Sequence, residues 1–382
     1  MKPLFLCFTL LALLLFLPVT ACAAEATAPS YEEVPAEYTD FLESLPNELL
    51  DILPKELFSR ECKDLEYAAG SMSQFSYLLK AVLSILGQSL PAVLSLLASV
   101  SGLLLLSATV RAMKDTLRAD GVGRAFSFFA SLFILCLLVK SGVDCVRRVT
   151  AYFSTLNTVT ASLLPLLSLL YALGGNLTAA AASTAGLSVY MTLLEELVGK
   201  SILPFCAVCL VLSLINASDP ALRTGVLLST VKKNYTTLLT FLMMLLLAML
   251  SAQTVLGARS DDLLMRSAKF AAGSMIPVVG GSISELLRTV SAGVGYLRGT
   301  IGISAVLLLI LLLLPTMVEL MLLRLVWQIT ASLAELLGCD GEKKLLEEFA
   351  SLCGHLLAAV CICSSVLWLS LTLLVRCTSA IG

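Results

Sequence analysis

The sequence runs to 382 residues, 58% of them hydrophobic and 14% charged, which excludes an ordinary soluble domain and indicates an all-α, polytopic helical membrane protein. The formal net charge of −2, without a dense basic cluster, excludes a nucleic-acid footprint. A single histidine, His355, excludes a histidine-based zinc site.

At the start of the chain Lys2, the apolar run Leu4 to Leu17, Pro18 and the small residues Ala21-Cys22-Ala23-Ala24 have the three-part form of a secretory leader. Residues 1–23 are therefore expected to be a cleavable signal peptide. Cleavage after Ala23 fits an A-x-A site, but Val19-Thr20-Ala21-Cys22 also has the form of a lipoprotein box, which would leave Cys22 lipidated. Residues 24–73 follow as an acidic arm. From 24 to 79 the chain carries twelve acidic side chains against Lys55, Arg60 and Lys63, −9 in all, as expected of an exported, solvated segment. Leu45-Pro46-Asn47-Glu48-Leu49 and Leu53-Pro54-Lys55-Glu56-Leu57 each put proline where a helix can begin and glutamate in its first turn. Two short helices are predicted there. So few large apolar groups supply only a small core, which suits docking rather than catalysis.

Residues 74–90 change pattern: Phe75, Leu78, Leu79, Val82, Leu83 and Leu86 recur at three and four residues, with Lys80, Ser84 and Gln88 opposite. This predicts an amphipathic interfacial helix. Residues 91–382 then read as a polytopic membrane domain, with about 6–8 spans expected in all. Pro91 to Val110 is the first span, and the loop holding Arg111, Lys114, Arg118 and Arg124 suits the cytoplasmic side. A second span covers Ala125 to Val143, with Lys140 and Asp144 spaced to pair. Others are expected at Ser201–Asn216, Asn234–Gly257, Thr300–Leu323 and Ala350–Val375.

Two stretches are apolar enough for a bilayer yet interrupted. Thr150 to Leu173 contains Pro165 and ends at Gly174-Gly175, and Arg266 to Arg298 contains Pro277 followed by Gly280-Gly281. In hydrocarbon each freed backbone group needs a partner, so a broken or re-entrant segment is expected to face protein or water inside the bundle. A surface-lying, bent amphipathic helix is the alternative for the second stretch. The two halves, about 125–216 and 234–323, form a weak internal repeat in which the prolines and glycine pairs recur, a pattern that marks the central path in transporter-like folds. Pro165, Gly174, Gly175, Lys269, Pro277, Gly280, Gly281, Glu285 and Arg288 are thus the candidate pathway or packing residues. Glu285 and Arg288 are spaced to pair.

Gly199-Lys200-Ser201 looks like the tail of a phosphate-binding loop, but the upstream glycine position is Leu194 and no strand precedes it. No protease or esterase signature supplies a nucleophile and base. Cys206-x-x-Cys209 and Cys361-x-Cys363 lack a second pair at zinc-ligand spacing and sit in apolar runs, so they read as small hydrophobes. No catalytic residue, cofactor or metal site is expected. The remaining ionisable groups beside apolar runs are Lys140, Asp144, Glu195, Glu196, Lys200, Glu319 and Arg324. Each must lie near an interface, where a long side chain snorkels, or face a wet interior.

The order of parts, and R-S-A-K-F-x-x-G-x-x-I-P-V-x-G before the long leucine-rich span, resembles the stage III sporulation protein AE family of endospore-forming bacteria. The resemblance covers essentially the whole chain and is sharpest over Arg266 to Val290, at Lys269, Phe270, Ile276, Pro277, Val278 and Gly280. It implies a non-enzymatic multi-pass subunit of the channel complex linking mother cell and forespore, in the mother-cell membrane around the forespore, with its mature N-terminus outside the cytoplasm. The implied partners are the lipid bilayer, the other membrane proteins of the stage III sporulation A operon complex, and stage II sporulation protein Q across the intermembrane space. A secondary transporter for a small solute is the competing expectation from the spans alone.

Overall fold

The structure is a computed structural model that describes residues 35–46, 53–59, 62–117, 120–173, 177–218, 225–242 and 280–379, with Met244, Leu245 and Ala248. Among these residues every regular element is helical. The elements are α1 (Ala36–Glu43), a 3₁₀ turn (Lys55–Phe58), α2 (Cys62–Ser73), α3 (Phe75–Leu117), α4 (Asp120–Leu173) and α5 (Leu177–Leu194). A π-helical turn (Glu195–Gly199) joins α5 to α6 (Lys200–Ser218), and α7 (residues 225–242), α8 (Gly280–Leu336) and α9 (Asp340–Ser379) follow.

The α8–α9 hairpin is the spine of the bundle, since these two helices share its largest interface. Their connection is short because α8 ends in a Schellman motif. Gly338 takes φ 70°, its N–H donates to Glu335 O (3.1 Å), and Cys339 N–H reaches back to Ala334 O (2.8 Å). Ala334 and Cys339, the apolar pair that such a cap brings together, are both fully buried. Lys343 N–H then donates to Cys339 O (2.9 Å), opening α9 at once, with Asp340 and Glu342 in its first turn where the helix dipole favours them. Around this spine α3 packs on α8 and α4, α5 on α4, and α6 on α9.

Among the described residues four helical segments are long and apolar enough to cross a membrane: Ser76–Thr109, Thr184–Ser213, Ser304–Leu336 and Asp340–Ser364. Their outer faces carry exposed large apolar side chains, among them Leu79, Leu83, Leu94, Leu105 and Leu106 on α3, and Leu203, Val208 and Val211 on α6. In water such a surface would be prohibitive. Against acyl chains it is the matching solvent.

Proline does not end these helices. Pro91, Pro165, Pro204 and Pro315 all lie inside one. The expected interruption at Pro165 is thus corrected, because α4 runs through it to Leu173. The physical reason is the solvent: proline removes one hydrogen bond, whereas unravelling the helix in hydrocarbon would free several backbone groups with nowhere to go. Similarly, α3 continues from Phe75 through Pro91, joining the predicted interfacial helix and first span in one rod. Of the remaining path candidates, Gly174, Gly175, Lys269 and Pro277 lie outside the described residues. Gly280 and Gly281 are the first residues of α8, and Glu285 and Arg288 lie in its first turns, with only their backbone described.

The acidic arm is folded onto the membrane domain. Only the second predicted proline-led helix falls within the described residues, as the 3₁₀ turn after Pro54. The arm's apolar residues Tyr38, Phe41, Leu42, Leu57, Leu65 and Met72 are buried in the same core as the long helices, α1 lying on α4 and α2 on α8. Ser44 Oγ and Ser162 Oγ, 2.7 Å apart, share a hydrogen bond across the α1–α4 contact. The arm therefore borrows the core that its own length cannot supply. Burial pushes the Tyr38 pKa up, with the nearby Ser304 hydroxyl pulling the other way. That hydroxyl is itself committed to Ile301 O (2.8 Å), and Tyr38 Oη has no hydrogen-bond partner among the described residues.

Candidate functional site

Three helices, α7, α8 and α9, bring together a set of polar side chains that their apolar surroundings make conspicuous. On α8, Arg324, Gln328, Ser332 and Glu335 follow one another at three and four residues and so share a face. On α9, Glu347, Ser351 and His355 do the same, interleaved with the small residues Ala350, Gly354 and Ala358. The two stripes face each other and, with Thr236 of α7, line a cavity of about 550 Å³. Small residues on both helices hold the backbones close while leaving this volume unfilled.

Its electrostatics are uneven. Lys232 of α7 is buried, pairs with Glu348 of α9 and donates to Ser351 Oγ at 3.0 Å. That ammonium is paired and hydrogen-bonded, and it ties α7 to α9. Toward the hairpin turn, Lys343 pairs with Glu335 at 2.8 Å and stands 3.8 Å from Glu347. At the far end Arg324 is only 6% exposed, yet among the described residues it pairs with no carboxylate and its Nε has no hydrogen-bond partner. Its guanidinium lies across Gly354, where a Cβ would stand 3.0 Å from Nη1 and 3.1 Å from Cζ.

His355 Nδ1 is 2.8 Å from Ser351 O, and since a carbonyl only accepts, Nδ1 carries the proton. A ligand would therefore meet Nε2. Phe205 of α6 stacks on Tyr235 of α7, centroids 3.9 Å apart and planes within 12°, and its centroid lies 6.4 Å from that of His355. This aromatic pair packs behind His355 and is not itself part of the cavity lining.

A second set of polar contacts is structural in character. Arg148 of α4 pairs with Glu319 of α8, Asn157 Nδ2 donates to Glu195 Oε2 (2.7 Å), and Lys200 pairs with Glu196 across the π turn. Asp144, expected to pair with Lys140, stands instead 3.9 Å from Arg147. Tyr152 Oη and Ser364 Oγ are 2.5 Å apart, and Tyr190 Oη donates to Cys363 O at 3.2 Å, tying α4 and α5 to α9. Cys206, Cys209, Cys361 and Cys363 are thiols buried in the packing.

Pro165, the one sequence-predicted path residue whose side chain is described, is not among the described residues that line the cavity. Arg324 was visible as an ionisable group in an apolar run, but its companions were not gathered. The signal was the spacing of Arg324, Gln328, Ser332 and Glu335 in an otherwise apolar helix.

The chain is 23% identical over 354 residues to Stage III sporulation protein AE of Bacillus subtilis (strain 168), covering 92% of this chain and 87% of that protein. No solved structure matches. The family described as Stage III sporulation protein AE matches residues 62–378, from the start of α2 nearly to the end of α9, and the chain therefore belongs to that family.

Proposed function

We propose that the protein is a non-enzymatic, multi-pass subunit of the channel complex that joins mother cell and forespore during endospore development. It sits in the mother-cell membrane around the forespore, with the arm outside the cytoplasm and α8–α9 as its structural spine. The observation that supports this reading is family membership over nearly the whole chain, joined to a bundle whose outer faces are apolar. The partners are the other membrane proteins of the same operon complex and, across the intermembrane space, stage II sporulation protein Q. Gly280 and Gly281 brace the path at the start of α8.

The test is cross-linking and affinity purification of the full-length protein from sporulating cells. Recovery of several other sporulation membrane proteins in fixed ratio is expected. Recovery of the protein alone, together with ion-coupled solute uptake by proteoliposomes containing nothing else, would replace the subunit by a secondary transporter. One observation favours that second reading, namely the polar-lined cavity of about 550 Å³ between α7, α8 and α9.

A further inference from the structure

We propose that the cavity between α7, α8 and α9 is a binding site for a ligand bearing one oxyanion group, a phosphate or a carboxylate, held by Arg324. This goes beyond membership of a complex and is independent of it.

A guanidinium offers five donors and no acceptor, and it stays charged in any protein environment. A buried charge is ordinarily paired or hydrogen-bonded. Arg324 is 6% exposed, lines a cavity, and lacks both a carboxylate partner and a partner for Nε among the described residues. Lys232, the other buried cation nearby, shows what a satisfied arrangement looks like, with Glu348 and Ser351 both in contact. The contrast points to a partner that is not part of this chain.

Surrounding residues fit that partner. Gly354 is the shelf that lets the guanidinium lie against α9, since a methyl group there would meet Nη1 and Cζ. Gln328 and His355, one turn from Arg324 and Ser351 respectively, supply further polar contacts on the wall. The charge at the other end limits what fits. Glu335 is eleven residues from Arg324, roughly 16 Å along the helix axis. Glu335 and Glu347 share Lys343 there, so that end keeps a surplus negative charge. A ligand with a second anionic group reaching that far would be repelled. The geometry selects a single oxyanion whose remainder is neutral or cationic, a description met both by the phosphodiester of a membrane lipid and by a small soluble acid or phosphate.

The experiment uses the full-length protein purified in detergent. In one arm its thermal unfolding is followed against inorganic phosphate and acetate, with chloride at matched ionic strength as reference. In the other, the protein is equilibrated with phosphatidylglycerol micelles and retained lipid is counted by native mass spectrometry. The expected result is saturable stabilisation in the first arm, or one retained lipid in the second, and the responding arm names the source. Arg324→Gln should weaken that binding about thirtyfold or more. Lys233→Gln removes the same charge from an exposed position on α7 and should leave it unchanged. Should Arg324→Gln fail to fold, Gly354→Ala, which displaces only the end of a flexible side chain, should weaken binding in its place. No response of the wild type in either arm overturns the proposal, as does equal weakening by Lys233→Gln.

Discussion

Lys232 and Glu348 lie 116 positions apart, and their pairing shows how one contact can carry more than its share. The ammonium side chain is 11% exposed and the carboxylate 29%. Removing one partner of a fully buried pair costs about 3–5 kcal/mol, because the other charge is stranded. Partial exposure of Glu348 lets water soften that cost, so Lys232→Met should destabilise by on the order of 2 kcal/mol. Lys232→Met combined with Glu348→Met should recover most of the loss. Thermal unfolding in detergent reads both, and equal destabilisation by the single and double variants would refute the pairing argument.

Gly142 makes a steric point of the same kind. A Cβ there would stand 3.1 Å from Phe349 Cζ, and that ring is itself buried, edge-on to Trp327 with centroids 5.7 Å apart. The ring has nowhere to retreat. Gly142→Ala should therefore destabilise by about 1–3 kcal/mol, and adding Phe349→Leu should relieve it. Neither contact was legible in the sequence, where a lysine, a glutamate and a glycine in three separate segments carry no sign of meeting.

Elements were more legible than contacts, and for a physical reason. Apolar runs of twenty residues in a chain of this composition favour helices, so spans at Thr300–Leu323 and Ala350–Val375 were expected from hydrophobicity, and the helical segments Ser304–Leu336 and Asp340–Ser364 overlap them with shifted ends. Helix ends and proline effects were harder. Pro165 reads as a breaker by rules learned in water, yet α4 carries it internally. Gly338 is the opposite case, a glycine whose positive φ is required by the cap that turns α8 into α9. No atom lies within 4 Å of where its Cβ would stand, so the cost of a substitution is backbone strain alone. Gly338→Ala should cost about 1–2 kcal/mol, with Gly338→Asn milder, since asparagine tolerates the left-handed region. Unfolding midpoints that rank glycine, asparagine, alanine would support the cap. A neutral alanine would mean that the hairpin does not depend on it.

At the scale of the whole molecule the arm gives the proposed orientation a testable form. Tyr38 lies by Ser304 and Ser44 bonds to Ser162, so the arm marks one face of the bundle. From there Ser304–Leu336, 33 residues, extends roughly 50 Å, more than a hydrocarbon core. Under the proposed orientation, with the arm outside, the α8–α9 turn is expected on the cytoplasmic side. In a background with the native cysteines replaced, Glu56→Cys should react with an impermeant maleimide in intact cells, and Lys344→Cys only after permeabilisation. Both positions are exposed. Labelling of both from the same side would refute the arrangement.

Docking of the arm also sets a schedule. The arm is among the first parts made, but its seat on α8 is synthesised more than two hundred residues later. At roughly 5–20 residues per second, the α2 part of the arm waits on the order of ten seconds or more with Leu65 and Met72 uncovered. Its strong negative charge then has a use that the finished fold conceals. It keeps an unseated, partly apolar segment soluble until α8 arrives. Ribosome-stalled chains ending before α8 should accordingly lose the arm to protease, whereas chains that extend past Leu336 should keep it.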